Sequence, residues 1–215
     1  ENKDEMLAAA AATAAPTHNH EEGIKGAQTV ALAIFKAMEY NRGRYQEAPL
    51  HIDEIISECV KFSGYDINMP KSSVLNKFDE TCPGTVPVAL KIISMSQSFE
   101  DAVRLAVSLG ADADTLGAIV GSIAEAVWGI PMEIRKTVES YLPDEMNDVL
   151  EQFYHERWRS FKPLIDTTFD GMTFDEAAWD MLDSDEKKKI QDFVLAGKVD
   201  KRRLMAERAK ARLDW

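Results

Sequence analysis

The sequence predicts an all-α protein, on three observations. Apolar residues recur at helical spacing in several separate windows, as in Ile52, Ile55, Ile56, Cys59 and Val60. Capping signatures of the Ser/Thr-x-x-acidic type precede two of these windows, at Ser98–Asp101 and Thr173–Glu176. No stretch shows the sustained apolar/polar alternation of a half-buried strand. The chain has 215 residues, 45% of them hydrophobic and 29% charged, enough to bury a real core in one domain or one domain plus an appendage.

In chain order, Ala-rich residues 6–15 predict a helix stopped before Pro16, because the residue preceding a proline resists the α conformation. A loop over Pro16–His20 follows. Ile24, Ala27, Ala31, Ile34, Phe35 and Met38 then share a helical face ending at Asn41-Arg42-Gly43. The helix around Ile52–Val60 is stopped by Gly64. Residues 65–86 lack a sustained period and contain Pro70, Pro83 and Gly84, so they predict a long irregular segment, a kind often functional. Val88, Ile92 and Met95 suggest the next helix. Ser98 opens another with Phe99, Ala102, Val103 and Ala106 inward, and Gly110 ends it. A helix rich in small residues spans Asp114–Gly129, with Pro131 in the first turn of the one after. Met146, Val149, Leu150 and Phe153 mark a further helix. Thr173 opens another, and one or two more fall within Lys187–Leu213. A boundary is expected near residues 158–172.

Charge narrows the function. The net charge is −12, which repels phosphate backbones and argues against nucleic-acid binding. Residues 198–215 are locally basic, with seven Lys/Arg against three Asp/Glu. No run approaches the ~18 apolar residues that span a bilayer, so no membrane partner is expected. Cys59 and Cys82 match no zinc spacing and read as reduced cysteines. With no signal peptide at the N-terminus, they lead us to expect a cytoplasmic protein. The chain starts at Glu1 and enters a helix almost at once, which predicts a fragment, a cleaved product or one half of something larger.

The densest chemistry lies in Leu109-Gly110-Ala111-Asp112-Ala113-Asp114-Thr115-Leu116-Gly117. Two carboxylates and a hydroxyl fall within four residues, at a turn joining two helices. All-oxygen ligation of this kind suits Mg²⁺, Mn²⁺ or Ca²⁺ rather than zinc. The same residues also read as helix capping, since acidic side chains satisfy free N–H groups and the dipole at a helix start. Gly117 and Gly121, followed by Ala124, suggest close approach by another helix, because interior glycines weaken a helix. His18 and His20, two apart, cannot share a helix face. A loop histidine there either hydrogen-bonds a ligand phosphate or ribose, or serves as a surface or capping residue.

Several segments carry a resemblance. Thr17-His18-Asn19-His20-Glu21-Glu22-Gly23-Ile24-Lys25-Gly26-Ala27-Gln28 resembles the Thr-His-Asn-His segment of the ADP-ribosylglycohydrolase family. The similarity continues through Phe78-Asp79-Glu80-Thr81-Cys82-Pro83-Gly84-Thr85-Val86-Pro87-Val88-Ala89. It culminates in Ser108–Thr115 and Gly121-Ser122-Ile123-Ala124-Glu125-Ala126-Val127-Trp128-Gly129-Ile130-Pro131. The resemblance implies a compact multi-helix domain over residues 1–158, the C-terminal portion of the family's domain, with an accessory helical segment over 159–215.

It also implies a hydrolase that cleaves the glycosidic bond between ADP-ribose and a protein side chain or other acceptor. Two Mg²⁺ or Mn²⁺ ions would serve it in a central cleft. By that similarity Asp112, Asp114 and Thr115 are metal ligands, and His18, Gly84 and Ala111 border the substrate. Ala111 and Ala113 depart from the family's commoner Gly-Gly-Asp-Thr-Asp-Thr. The Thr-Asp-Asp-Thr motif and the usual acid/base carboxylate belong to an N-terminal half absent from this sequence, so no catalytic residue is assigned. The expected partners are an ADP-ribosylated protein or an ADP-ribose-containing small molecule, and the N-terminal half itself. The alternative is a non-catalytic ADP-ribose-binding or interaction module.

Overall fold

The computed structural model describes residues 2–42 and 52–160, with side chains for 2–39 and 52–154. All regular structure in the described residues is helical: eight α-helices and one 3-10 turn. Residues 2–42 and 52–131 belong to one compact unit and 132–160 to a second.

The first helix, α1 (Lys3–His18), is longer at both ends than the expected 6–15. Asn2 caps it, with its side chain accepting from Glu5 N–H and the Glu5 carboxylate returning to Asn2 N–H. Pro16 lies inside the last turn rather than after the helix. Its ring forgoes one helical hydrogen bond, to the Ala12 carbonyl, and the chain leaves the helix two residues later. Only Asn19 and His20 separate α1 from α2 (Glu21–Arg42).

Helix α2 packs against α1, α3 (Ile52–Ser63), α4 (Cys82–Met95) and α6 (Ala113–Trp128). Being surrounded, it buries a different line from the expected face. Gly26, Thr29, Leu32, Ala33 and Ala37 are buried, whereas Ile24, Ala27, Ala31, Ile34, Phe35 and Met38 are half-buried. Small residues let the neighbouring helices approach. Helix α3 follows its pattern, burying Ile52, Ile55, Ile56 and Cys59, and Gly64 ends it with φ +72°.

The irregular segment ends earlier than residue 86, because α4 starts at Cys82. Pro83 sits in its first turn, where a missing N–H costs nothing, and Thr81 caps it. Helix α4 supplies the middle of the core with Leu90, Ile92, Ile93 and Met95, all at most 2% exposed. In α5 (Phe99–Ser108), Ala102, Leu105 and Ala106 point inward, while Phe99 and Val103 are half-buried. Helix α6 contributes Leu116, Val120, Ile123, Ala124 and Val127.

The glycine face of α6 lies opposite α5. A Cβ on Gly117 or Gly121 would stand 3.9 Å from a methyl of Val107 or Val103, which is ordinary contact. The expected tight approach is therefore absent.

The second unit holds α7 (Met132–Glu139), which Pro131 immediately precedes, and α8 (Asp144–Ser160). Arg135 bridges Glu139 at 2.6 Å and lies 4.3 Å from the centroid of the Tyr154 ring. Asn147 donates to the carbonyls of Glu139 and Leu142, closing the end of α7. The expected Met146, Val149, Leu150 and Phe153 helix forms, but Met146, Val149 and Phe153 are each more than half exposed. Beyond Ser160, the accessory segment 159–215, the capping signature at 173–176 and the closing helices lie outside the described residues, as does most of the expected boundary region. None of the described helices is long and apolar enough to cross a membrane.

Candidate functional site

The turn between α5 and α6 is built by backbone geometry. Leu109 ends α5, and Gly110 takes φ +60°, which a side chain would resist. Asp112 then occupies the N-cap position of α6: its carbonyl accepts the Leu116 N–H at 2.8 Å. Its side chain makes no capping hydrogen bond, and the residue is only 7% exposed. Instead its carboxyl meets that of Asp114 in the first turn. This hydrogen bond, followed by the N–H groups of Thr115 and of Asp114 itself, holds the Asp114 carboxyl below the ordinary carboxylate range. Thr115 is exposed beside Asp114, and half-buried Ala111 packs against the core.

A second cluster surrounds the start of α4. Asp79 Oδ1 accepts from Thr81 N–H at 2.9 Å and from Thr81 Oγ1 at 2.7 Å. Thr81 Oγ1 in turn accepts from Gly84 N–H at 3.2 Å. A Cβ on Gly84 would collide with the Asp79 carboxyl, so a larger residue there would displace that side chain.

Across from it, α2 approaches closely: a Cβ on Gly26 would stand 2.7 Å from Cys82 Sγ. Tyr65, 8% exposed, donates its hydroxyl to Glu22 at 3.1 Å. Lys25 pairs with Glu22 and lies 4.9 Å from the centroid of the Tyr65 ring. The Lys25 hydrogen bond pulls the Glu22 carboxyl below its usual range. Burial first, and then Glu22, push up both groups: at the Tyr65 hydroxyl through its hydrogen bond and charge, at the Cys82 thiol through its charge.

His18 is the last residue of α1 and is exposed, with its Nδ1 2.8 Å from Thr17 Oγ1. His20 has the capping role: its Nδ1 accepts from Glu22 N–H at 3.2 Å. Gly23 fits beneath the His18 carbonyl, which a Cβ would meet at 2.8 Å.

The structure thus joins Asp112 to Asp114, Gly84 to Asp79 and His18 to Gly23. Among the described residues, no hydrogen bond or ion pair links His18 or Gly84 to the Asp112–Asp114 pair. Sequence reasoning missed Glu22 and Tyr65, which are 43 residues apart and leave no local signal. It also missed Asn76, whose only signal is that asparagine tolerates the left-handed conformation.

The oxygen donors at Asp112, Asp114 and Thr115 fit a hard cation by type. They do not complete its shell, since no group of three His, Cys, Asp or Glu among the described residues could hold a metal. Neither the curated proteins nor the solved structures give a significant match to this chain. A sequence profile of the ADP-ribosylglycohydrolase family, however, matches residues 1–162. That is most of the chain, and the chain belongs to this family of glycohydrolases.

Proposed function

We propose that this member of the ADP-ribosylglycohydrolase family supplies the C-terminal part of a metal-dependent site. The site cleaves the glycosidic bond joining ADP-ribose to a protein side chain or other acceptor. One observation carries the cation assignment: Asp112 stands at a helix N-cap, is buried, and turns its carboxyl to Asp114 instead of capping. Capping alone therefore does not account for it.

In this reading Asp112 and Asp114 would hold Mg²⁺ or Mn²⁺, with Thr115 adding a neutral oxygen. When bound, such an ion would supply positive charge for the ribose hydroxyls and an activated water, chemistry suited to an oxocarbenium-like transition state. His18, exposed at the end of α1, offers a ring nitrogen to a phosphate or ribose hydroxyl. The Gly84 loop and the Ala111 backbone border the sugar. The remaining ligands, a second ion and the acid/base carboxylate come from the N-terminal half, and the assembled protein works in the cytoplasm. A second reading, a binding module without catalysis, draws on the incomplete ligand set around the pair.

Titration of the chain with Mn²⁺, followed by electron paramagnetic resonance, tests the cation assignment. The wild type should bind weakly, as befits half a site, and the Asp112→Ala, Asp114→Ala double variant should lose that binding while keeping its helical circular dichroism. Unchanged binding in the double variant would sink the assignment. Supplying the N-terminal half should bring ADP-ribose release if the protein is an enzyme, and binding without release if it is a module.

A further inference from the structure

We propose that Asn76 is a positioning residue, which locks the turn at residues 109–112 and thereby aligns the Asp112–Asp114 pair for its cation. The inference rests on the cation reading above and deepens it. Asn76 donates its backbone N–H to the Leu109 carbonyl at 2.8 Å. That carbonyl ends a helix and has no helical partner of its own. Asn76 has φ +55°, the only non-glycine residue with positive φ among those described. Gly110, which follows Leu109, has φ +60°. The Asn76 Oδ1 lies over Gly110 so closely that a Cβ there would meet it at 2.5 Å. Two left-handed residues from separate segments, Asn76 and Gly110, therefore interlock two residues ahead of Asp112.

Asn76 is exposed, so it is not retained to fill the core. Its support is firm. Ser73 N–H bonds to Pro70, Leu75 N–H to Lys71 at 2.9 Å, and Lys77 N–H to Val74 at 3.1 Å. Val74 packs against the core beneath. Asparagine suits the position because its short polar side chain tolerates a left-handed backbone. Three residues later the same segment places Asp79 over Gly84. One stretch of chain thus braces both the cation turn and the loop at the start of α4.

The test compares Asn76→Val, whose branched side chain opposes a positive φ, with Asn76→Gly, which keeps the conformation and the backbone donor. Amide hydrogen exchange over residues 110–116 is read beside Mn²⁺ affinity. Asn76→Val should speed exchange there and weaken Mn²⁺ binding, each by roughly tenfold, with exchange in α3 and α4 unchanged. Asn76→Gly should restore most of both. Exchange at 110–116 that stays at the wild-type value in Asn76→Val overturns the inference whatever the ion does. So does exchange that rises equally throughout the chain, which marks general destabilisation. Wild-type chain that binds no Mn²⁺, with the exchange response intact, overturns the cation reading and leaves Asn76 as the brace of the turn.

Discussion

Among the described residues, the starts of α4, α5 and α6 each place a polar side chain at the N-cap, and the last of them behaves differently. At α4, Thr81 Oγ1 accepts from Gly84 N–H at 3.2 Å. At α5, Ser98 Oγ accepts from Asp101 N–H at 3.1 Å, while the Asp101 carboxylate reaches back to Gln97 N–H. At α6, Asp112 is as good a capping residue by type but caps nothing with its side chain. The first two starts gain stability from their caps. The third turns its buried acid toward another acid instead. A group withheld from the role that would stabilise its own helix is available for a ligand.

The largest expected effect lies at the close-packed α4 start. Gly26→Ala places a methyl 2.7 Å from Cys82 Sγ and 2.8 Å from its Cβ. The Cβ sits next to the backbone, so α2 and α4 must separate. Overpacking of this kind costs about 1–3 kcal/mol. Thermal unfolding of the variant should show that drop, and an unchanged midpoint would mean the two helices yield freely.

Thr81→Ala and Asp112→Asn set the two kinds of start side by side. Thr81→Ala removes the cap on Gly84 N–H and the hydroxyl that serves Asp79, at a cost of about 1 kcal/mol. Asp112→Asn removes no capping bond and relieves the facing charges, so stability should stay within about 0.5 kcal/mol or rise. Urea denaturation of both variants checks this. Because asparagine caps as well as aspartate, Asp112→Ala is the deciding variant: a loss as large as that of Thr81→Ala would show that the acid caps after all.

Much of the architecture was legible because it depends on large apolar residues at fixed spacing. Ile52, Ile55, Ile56 and Cys59 announce α3, and Gly64 and Gly110 mark real stops. The deep line of α2 was not legible, because Gly26, Thr29, Ala33 and Ala37 carry little hydropathy; they are buried by what surrounds them. Pro83 and Gly84 read as breakers and hid the α4 start, although Thr-x-Pro-Gly is also a capped first turn. At the site, Asp112, Asp114 and Thr115 stood out through local density alone. Asn76 against Gly110 and Glu22 against Tyr65 are long-range contacts, and no local pattern encodes them.

A smaller effect, of opposite sign, is expected at Gly117. A Cβ there has 3.9 Å of room beside Val107, so Gly117→Ala meets no clash and gains helix propensity. The variant should be more stable by about 0.5–1 kcal/mol in thermal unfolding. A loss instead would reveal a closer partner for the glycine face than α5.

The smallest effect returns to the α4 start, where Cys82 is the first helical residue. A thiol at a helix N-terminus ordinarily has a lowered pKa and reacts readily. Here burial, and then the Glu22 carboxylate, push the Cys82 thiol up. Raising the pKa depletes the thiolate near neutral pH, so alkylation by iodoacetamide at pH 8 should be slower than for a free thiol and should climb as pH rises. Cys59 is fully buried, with its thiol pushed up to about 12 mainly by burial, and should label last. Glu22→Gln removes the charge that Cys82 feels but not the burial, so labelling of Cys82 should quicken only a few-fold. Mass spectrometry of the labelled peptides separates the two cysteines. A Cys82 that labels faster than a free thiol at pH 8 would mean the dipole of α4 outweighs burial, and that its start is more open than the Gly26 contact implies.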